Sequence, residues 1–277
     1  MDISSLKKAL LNPGIYSDHP QSVGIRETHI SLVFLTGNYA YKVKKPVDFG
    51  FLDFTSIEKR KYYCEQEVAL NRRLAPTLYL GTIKITEEDN KIALDGRGRV
   101  VEYAVKMKQI PEELLMNRLL EKKEVTSGMI EAISGKLVWF YSTAETSDRI
   151  KSFAKPERVK QDTDENFEQT EKYIDVTISG DIYQEVKEKT DLFYRTKEKV
   201  FDQRIKEDRI RDCHGDLRLE HIFWGEEISI FDCIEFNERF RYTDVAADIG
   251  FLAMDLDYHG REDLSEHLIQ AYIGESG

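Results

Sequence analysis

Cys213-His214-Gly215-Asp216-Leu217-Arg218-Leu219-Glu220-His221-Ile222-Phe223 is followed shortly by Ile228-Ser229-Ile230-Phe231-Asp232. The first stretch puts Asp216 on a Gly-Asp turn, a setting that short acidic side chains tolerate well. A second polar side chain, His221, comes five residues later. Ile228 to Phe231 is a short apolar run of the kind that forms a buried strand, and it delivers Asp232 at its end. A turn carboxylate can orient or deprotonate a hydroxyl group, while a strand-end carboxylate beside it can hold a divalent cation.

Phosphoryl transfer needs those two elements side by side. His214, Asp216 and His221 fall at the offsets of the H-R-D-x-x-x-x-N catalytic loop, with His where that pattern has Asn. The alternative for Asp216 is an ordinary surface residue in a Gly-Asp turn. His-Gly-Asp-Leu at 214–217, with Asp232 and then Arg241-Tyr242-Thr243-Asp244-Val245-Ala246-Ala247-Asp248 downstream, resembles the aminoglycoside phosphotransferase group of the protein-kinase-like fold. Choline and fructosamine kinases are relatives of that group. The wording is closest to a bacterial branch in which the kinase-like part is often followed by a P-loop ATP-binding domain.

The resemblance implies an α+β, bilobal, protein-kinase-like fold. Residues 1–108 would be a small antiparallel β-sheet lobe with one helix at 56–75, which binds the nucleotide phosphates. Residues 109–277 would be a larger, mostly helical lobe with the catalytic loop at 214–221 and the acceptor pocket. It also implies ATP, with GTP as the alternative, and Mg²⁺ as cofactors, and a small-molecule hydroxyl group as acceptor. Asp216 would be the catalytic carboxylate and Asp232 the principal metal ligand. His221 is the second metal-site residue, although imidazole suits softer metals better than Mg²⁺; contact with phosphate through a proton, or a second metal bond from Glu235 instead, are the alternatives. His214 shapes the loop and Asp248 braces it, with Asp244 as a helix N-cap.

Bulk properties fit a soluble cytoplasmic enzyme. With 41% hydrophobic residues over 277 positions, the chain can bury a substantial core. A net charge of −11 leaves no broad cationic footprint for nucleic acid or for an anionic membrane. Three cysteines, Cys64, Cys213 and Cys233, are too few and too scattered for a disulfide framework or a zinc site. The start of the chain has no apolar signal core, and no run is long enough to span a bilayer.

The first hundred residues read mostly as strands. Val23 to Glu27, Ile30 to Leu35 and Tyr39 to Val43 are β-rich runs, with Gly37-Asn38 as a turn. The period of two puts Lys42 and Lys44 on one face of the third strand. By resemblance Lys42 is the phosphate-binding lysine and Lys44 the reserve; a solvated, lysine-blunted edge is the alternative. The turn Thr28-His29-Ile30-Ser31 is not a glycine-rich phosphate loop, so Ser31 is the candidate for that contact. Asp48-Phe49-Gly50 spells a kinase triplet but precedes the catalytic stretch, and it reads as a turn.

Ser56 to Leu74 is helical, capped by Ser56 and stopped by Pro76. On that helix Glu67 is placed to pair with Lys42, as in the kinase Lys–Glu ion pair; a glutamate facing water is the alternative. Strands resume at Tyr79 to Thr86, Lys91 to Leu94 and Val100 to Met107, with Asp95-Gly96-Arg97-Gly98 as a hairpin turn. Met107 and Gln109 would then lie at the nucleotide-base hinge. Helices are expected near 112–122, 127–145, 157–178 and 182–207, and this block carries no motif. The chain stops soon after one further helix, earlier than the resemblance leads one to expect, and its oligomeric state is not legible. Two competitors to an active kinase are a catalytically weak nucleotide-binding module and, less favoured, a metal-dependent hydrolase built on His214, Asp216, His221 and Asp232.

Overall fold

The computed structural model describes residues 2–276. The chain is α+β, and its parts follow in the order of a β-meander, a helix, further antiparallel strands and then a mainly helical remainder. Helix α1 (Ile3–Leu10) precedes β1 (Gly24–Glu27), β2 (Ser31–Leu35) and β3 (Tyr39–Lys44). Helix α2 (Ile57–Asn71) follows, then β4 (Tyr79–Glu88), β5 (Lys91–Leu94) and β6 (Arg99–Lys108). These strands form one antiparallel six-stranded sheet in the order β1-β2-β3-β6-β4-β5.

Alternation along β3 and β6 decides what each face of the sheet carries. Tyr41 and Val43 of β3 and Ala104 of β6 point into a core with Leu6 and Leu10 of α1, Tyr16, Leu32, Phe34 and Ile85. Val105, next to Ala104, points the other way, into a core with Cys64 and Val68 of α2, Tyr79 and Leu78. Lys42 and Lys44 alternate with Tyr41 and Val43, so they share the α2 face. The Ser56 hydroxyl caps α2 by accepting from the Lys59 N–H at 3.2 Å. Between β1 and β2 the Thr28 hydroxyl accepts from the Ser31 N–H at 3.0 Å, which closes a tight turn and makes Ser31 the first residue of β2.

Beyond the sheet come α3 (Met116–Glu121), α4 (Ser127–Thr143), α5 (Asp148–Lys151), α6 (Pro156–Thr170) and the 27-residue α7 (Gly180–Lys206). The helix expected at 112–122 starts late, because Leu115 is extended and bridges to Phe223. That tertiary pairing leaves only a single 3-10 turn at Glu112–Leu114 ahead of α3. The helix expected at 157–178 ends at Thr170 and gives way to a 3-10 turn and then to Asp175 at φ 60°. Strands β7 (Ile210–Asp212), β8 (Ile222–Trp224) and β9 (Ile228–Ile230) are followed by α8 (Glu238–Arg241) and β10 (Tyr242–Asp244). Helices α9 (Val245–Tyr258) and α10 (Glu262–Ser276) complete the described residues.

The chain forms two compact units. The first comprises residues up to Phe140 together with Asp216–Glu238 and the residues from Phe251 onward. It contains the six-stranded sheet and the β8–β9 hairpin. The second comprises Tyr141–Gly215 and Arg239–Gly250, with the β7–β10 pair and a core of Ile150, Ala154, Ile210 and Tyr242. No helix among the described residues is long and apolar enough to cross a membrane.

Candidate functional site: a lysine–carboxylate cluster beside the Asp216 turn

Within the first unit, the two lysines of β3 meet three carboxylates. Glu67 is fully buried on α2 and divides its oxygens between them: Oε1 lies 2.9 Å from Lys42 Nζ and Oε2 lies 2.6 Å from Lys44 Nζ. Lys42 Nζ also donates to Asp232 Oδ1 at 2.6 Å, while Lys44 Nζ donates to Glu235 Oε1. The sequence expectation for Lys42 and Glu67 thus meets an ion pair in the structure, and Lys44 joins it from the inner side. Glu65, two residues earlier on α2, faces water and pairs with Lys61 at 3.7 Å.

Asp232 follows β9 with a left-handed φ of 62°, a conformation that Asp tolerates better than most residues. Its backbone N–H donates to the Tyr79 hydroxyl at 3.2 Å. The next N–H, of Cys233, donates to the Asn71 side-chain oxygen at 2.9 Å, and the Asn71 amide donates to the Glu67 carbonyl at 2.8 Å. The segment carrying Asp232 is therefore tied to the same turn of α2 that carries Glu67.

His221 connects Asp232 to the Asp216 turn. Its Nδ1 is 2.8 Å from the Asp216 carbonyl oxygen, which can only accept, so Nδ1 carries the proton. In the neutral ring this leaves the lone pair on Nε2, which lies 3.7 Å from Asp232 Oδ2. The Asp216 carboxylate is met by Arg218, with Nε 3.1 Å from Oδ1 and Nη2 3.2 Å from Oδ2. Beside it lies a hollow of about 360 Å³ lined by Asp216, Arg218, Phe251, Met254, Asp255 and Tyr258. Asp255 also accepts from the Leu219 N–H at 2.8 Å, fixing the turn between Asp216 and His221.

In the second unit, Asp248 holds the preceding two peptides. Its Oδ2 accepts from the His214 N–H at 2.7 Å and its Oδ1 from the Gly215 N–H at 2.9 Å. The Tyr141 hydroxyl donates to the same carboxylate at 3.1 Å. The His214 side chain is fully buried. Asp244 accepts from the Ala246 N–H at 2.8 Å and so caps the start of α9.

The electrostatics follow from the geometry. Burial opposes the charge on Lys42, but Asp232 and Glu67 raise its pKa well above the ordinary 10.5. Burial likewise opposes the charge on Glu67, and Lys42 and then Lys44 hold its carboxyl below the ordinary 4.5. Asp232 behaves in the same way, held below 3.8 against burial by Lys42 and then His221. Glu235 differs: burial pushes its carboxyl above the usual range, with Lys44 pulling against it. Of the three carboxylates around two ammoniums, it is the one that most readily takes a proton.

The remaining sequence candidates occupy varied positions. Ser31 is buried at the start of β2, opposite Lys44 in register, with its hydroxyl 2.9 Å from that of Thr28. Met107 sits on β6 between Ala40 and Tyr79 and packs on the core that holds Cys64, Val68 and Val105. Gln109 uses both its groups on the neighbouring turn, its N–H donating to Asn38 O at 2.9 Å and its side chain accepting from Gly37 N–H at 2.8 Å. Sequence reasoning left Asn71, Arg218 and Tyr79 unassigned, and it offered Glu235 only as an alternative second metal ligand, whereas in the structure Glu235 accepts from Lys44. The signal available for Glu235 was spacing: two lysines two apart on a strand, and two carboxylates three apart on the segment that meets it.

The donor set fits a hard divalent cation in part. Asp232 offers a carboxylate oxygen and His221 an imidazole nitrogen. No group of three or more His, Cys, Asp or Glu side chains among the described residues is arranged to hold a metal ion. An ion there would complete its shell with water and ligand oxygens, as Mg²⁺ commonly does.

No protein-family model matches the chain. An uncharacterized protein of Mycobacterium bovis and one of Mycobacterium tuberculosis are each 32% identical over 271 residues, covering 96% of this chain and 53% of theirs. The chain thus spans about half the length of the curated relatives it matches. Among solved structures, a choline/ethanolamine kinase family protein from Mesorhizobium loti superposes with a TM-score of 0.48 at 11% identity, covering 98% of this chain and 76% of that one. Choline kinase from Cryptosporidium parvum gives 0.49 at 11% identity, with 99% and 79% covered.

Proposed function

We propose that the chain is the catalytic part of an ATP- and Mg²⁺-dependent phosphotransferase that acts on a hydroxyl group of a small molecule. The observation that carries this reading is the ammonium of Lys42, fixed between Glu67 and Asp232 while His221 links Asp232 to the Asp216 turn. Lys42 holds nucleotide phosphates, its position set by the two carboxylates. Asp232 and His221 hold the metal ion. When bound, Mg²⁺ supplies charge neutralisation on the phosphate oxygens. Asp216 orients the acceptor hydroxyl and takes its proton, and Arg218 keeps that carboxylate aimed. The hollow lined by Phe251, Met254 and Tyr258 beside Asp216 is where the acceptor sits. On this reading residues up to 108 serve the nucleotide phosphates, and those from 109 carry the metal site, Asp216 and the acceptor pocket. The aminoglycoside phosphotransferase label specifies no substrate, because function lives in the pocket rather than the fold.

The test is calorimetric titration of ATP with Mg²⁺ into wild type and Asp232→Asn. Asn preserves the left-handed backbone at this position, so the variant isolates the charge. Binding by wild type that weakens at least about tenfold in Asp232→Asn is the expected result. Absence of binding to wild-type protein overturns the reading.

A second reading, nucleotide binding without transfer, is favoured by one observation: the Asp216 carboxylate is engaged by Arg218 rather than standing open. It differs in predicting Mg-ATP binding with no phosphate released or transferred over a range of alcohol acceptors.

A further inference from the structure

The two lysines of β3 do different things. Lys42 keeps 13% of its side chain exposed and faces the Asp232 segment, whereas Lys44 keeps 1% and is enclosed by Glu67, Glu235 and the Phe54 ring, 4.9 Å away. A phosphate could reach Lys44 only by displacing two buried carboxylates, which would strip Glu235 of this ammonium and leave Glu67 with Lys42 alone. A carboxylate, by contrast, has two oxygens. One held by a buried ammonium fixes the plane of the group and so fixes where the other points. Lys44 takes Glu67 Oε2 and thereby presents Oε1 to Lys42. Glu235 in turn accepts from Lys44 and ties down the end of the segment that begins at Asp232.

We propose that Lys44 and Glu235 form a buried clamp that positions Glu67, and through it Lys42, and that Lys44 takes no phosphate itself. The inference rests on the nucleotide-binding reading above. Both are positioning residues, and the clamp makes the lysine strand, the glutamate helix and the Asp232 segment move as one piece.

The experiment is a double-mutant cycle read by Mg-ATP affinity in calorimetry, with the melting temperature of every variant recorded. Lys44→Met with Glu235→Gln removes one charge of each sign together. In the wild-type background this pair is expected to weaken Mg-ATP binding about tenfold. In a Glu67→Gln background the same pair is expected to change it less than about twofold, because the group it acts through is already altered. Equal losses in both backgrounds would make Lys44 an independent phosphate ligand and overturn the clamp. A lowered melting temperature with unchanged affinity would overturn it too, leaving a structural ion pair.

Should the combined variant not fold, Glu235→Leu and Glu235→Gln decide the matter. They carry the same charge, but only Gln offers Lys44 an oxygen. Gln is expected to recover most of the affinity that Leu loses; equal affinities overturn the proposal. Wild-type protein that binds no Mg-ATP overturns the nucleotide reading and the clamp with it, and so is distinct from failure of the clamp alone.

Discussion

Asp232 sits where three demands meet: a left-handed backbone, an ammonium at 2.6 Å and an imidazole at 3.7 Å. Its carboxyl and that of Glu67 are both held below their ordinary values, so the native state binds fewer protons than the unfolded chain around pH 4. Their contribution is present in full above the ordinary values of 3.8 and 4.5 and is lost as the pH falls through the depressed native ones. Glu235, raised by burial, acts with the opposite sign: its contribution is present below 4.5 and fades as the pH rises through its native value. The stability advantage of wild type over Asp232→Asn should therefore be largest near neutrality and shrink as the pH is taken below about 3.8. Urea titrations at pH 7, 5 and about 3.5 check this, and an advantage that grows on acidification would contradict the assigned pairing.

At the level of elements, the loop that leads into Asp216 is fixed by backbone as much as by side chains. Gly215 has φ 86°, and a Cβ there would come within 2.7 Å of the Phe240 carbonyl oxygen. Gly215→Ala should cost about 1–3 kcal/mol from the left-handed backbone, with the close approach adding to it. A lowered urea midpoint at unchanged m-value is the measurement. Positions such as this were legible in the sequence because the motif names them residue by residue. The same holds for β3, whose alternation put Lys42 and Lys44 on one face before any helix was placed. What the sequence could not convey was the depth of each lysine in the structure, since alternation fixes a face and not a distance from solvent. The pairing of Glu235 with Lys44 was missed for a related reason: the two lie 191 residues apart in the chain, and matching spacings on two segments do not show that the segments meet. Leu115 shows the same limit for secondary structure, because its bridge to Phe223 breaks a helix that local pattern favours.

Over the whole molecule, charge and burial are spread unevenly between the two compact units. The first carries the full lysine–carboxylate cluster and two cores packed on opposite faces of one sheet. The second contains α6 and α7, neither of which has a buried residue. Cys64 and Cys233 lie in the first unit, Cys213 in the second, and all three are buried. Burial pushes the Cys64 thiol up to about 12, so it has little thiolate with which to react near neutral pH. The Cys233 sulfur accepts from Arg73 at 3.3 Å, and its own peptide is pinned by Asn71. These thiols are therefore built-in clocks: a maleimide or disulfide reagent can mark each one only when the structure around it opens. Cys64 and Cys233 should be modified at one common rate, set by the opening of their shared unit. Mass spectrometry of timed quenches across a urea series would read that rate, and the separate one for Cys213, without introducing a single foreign probe.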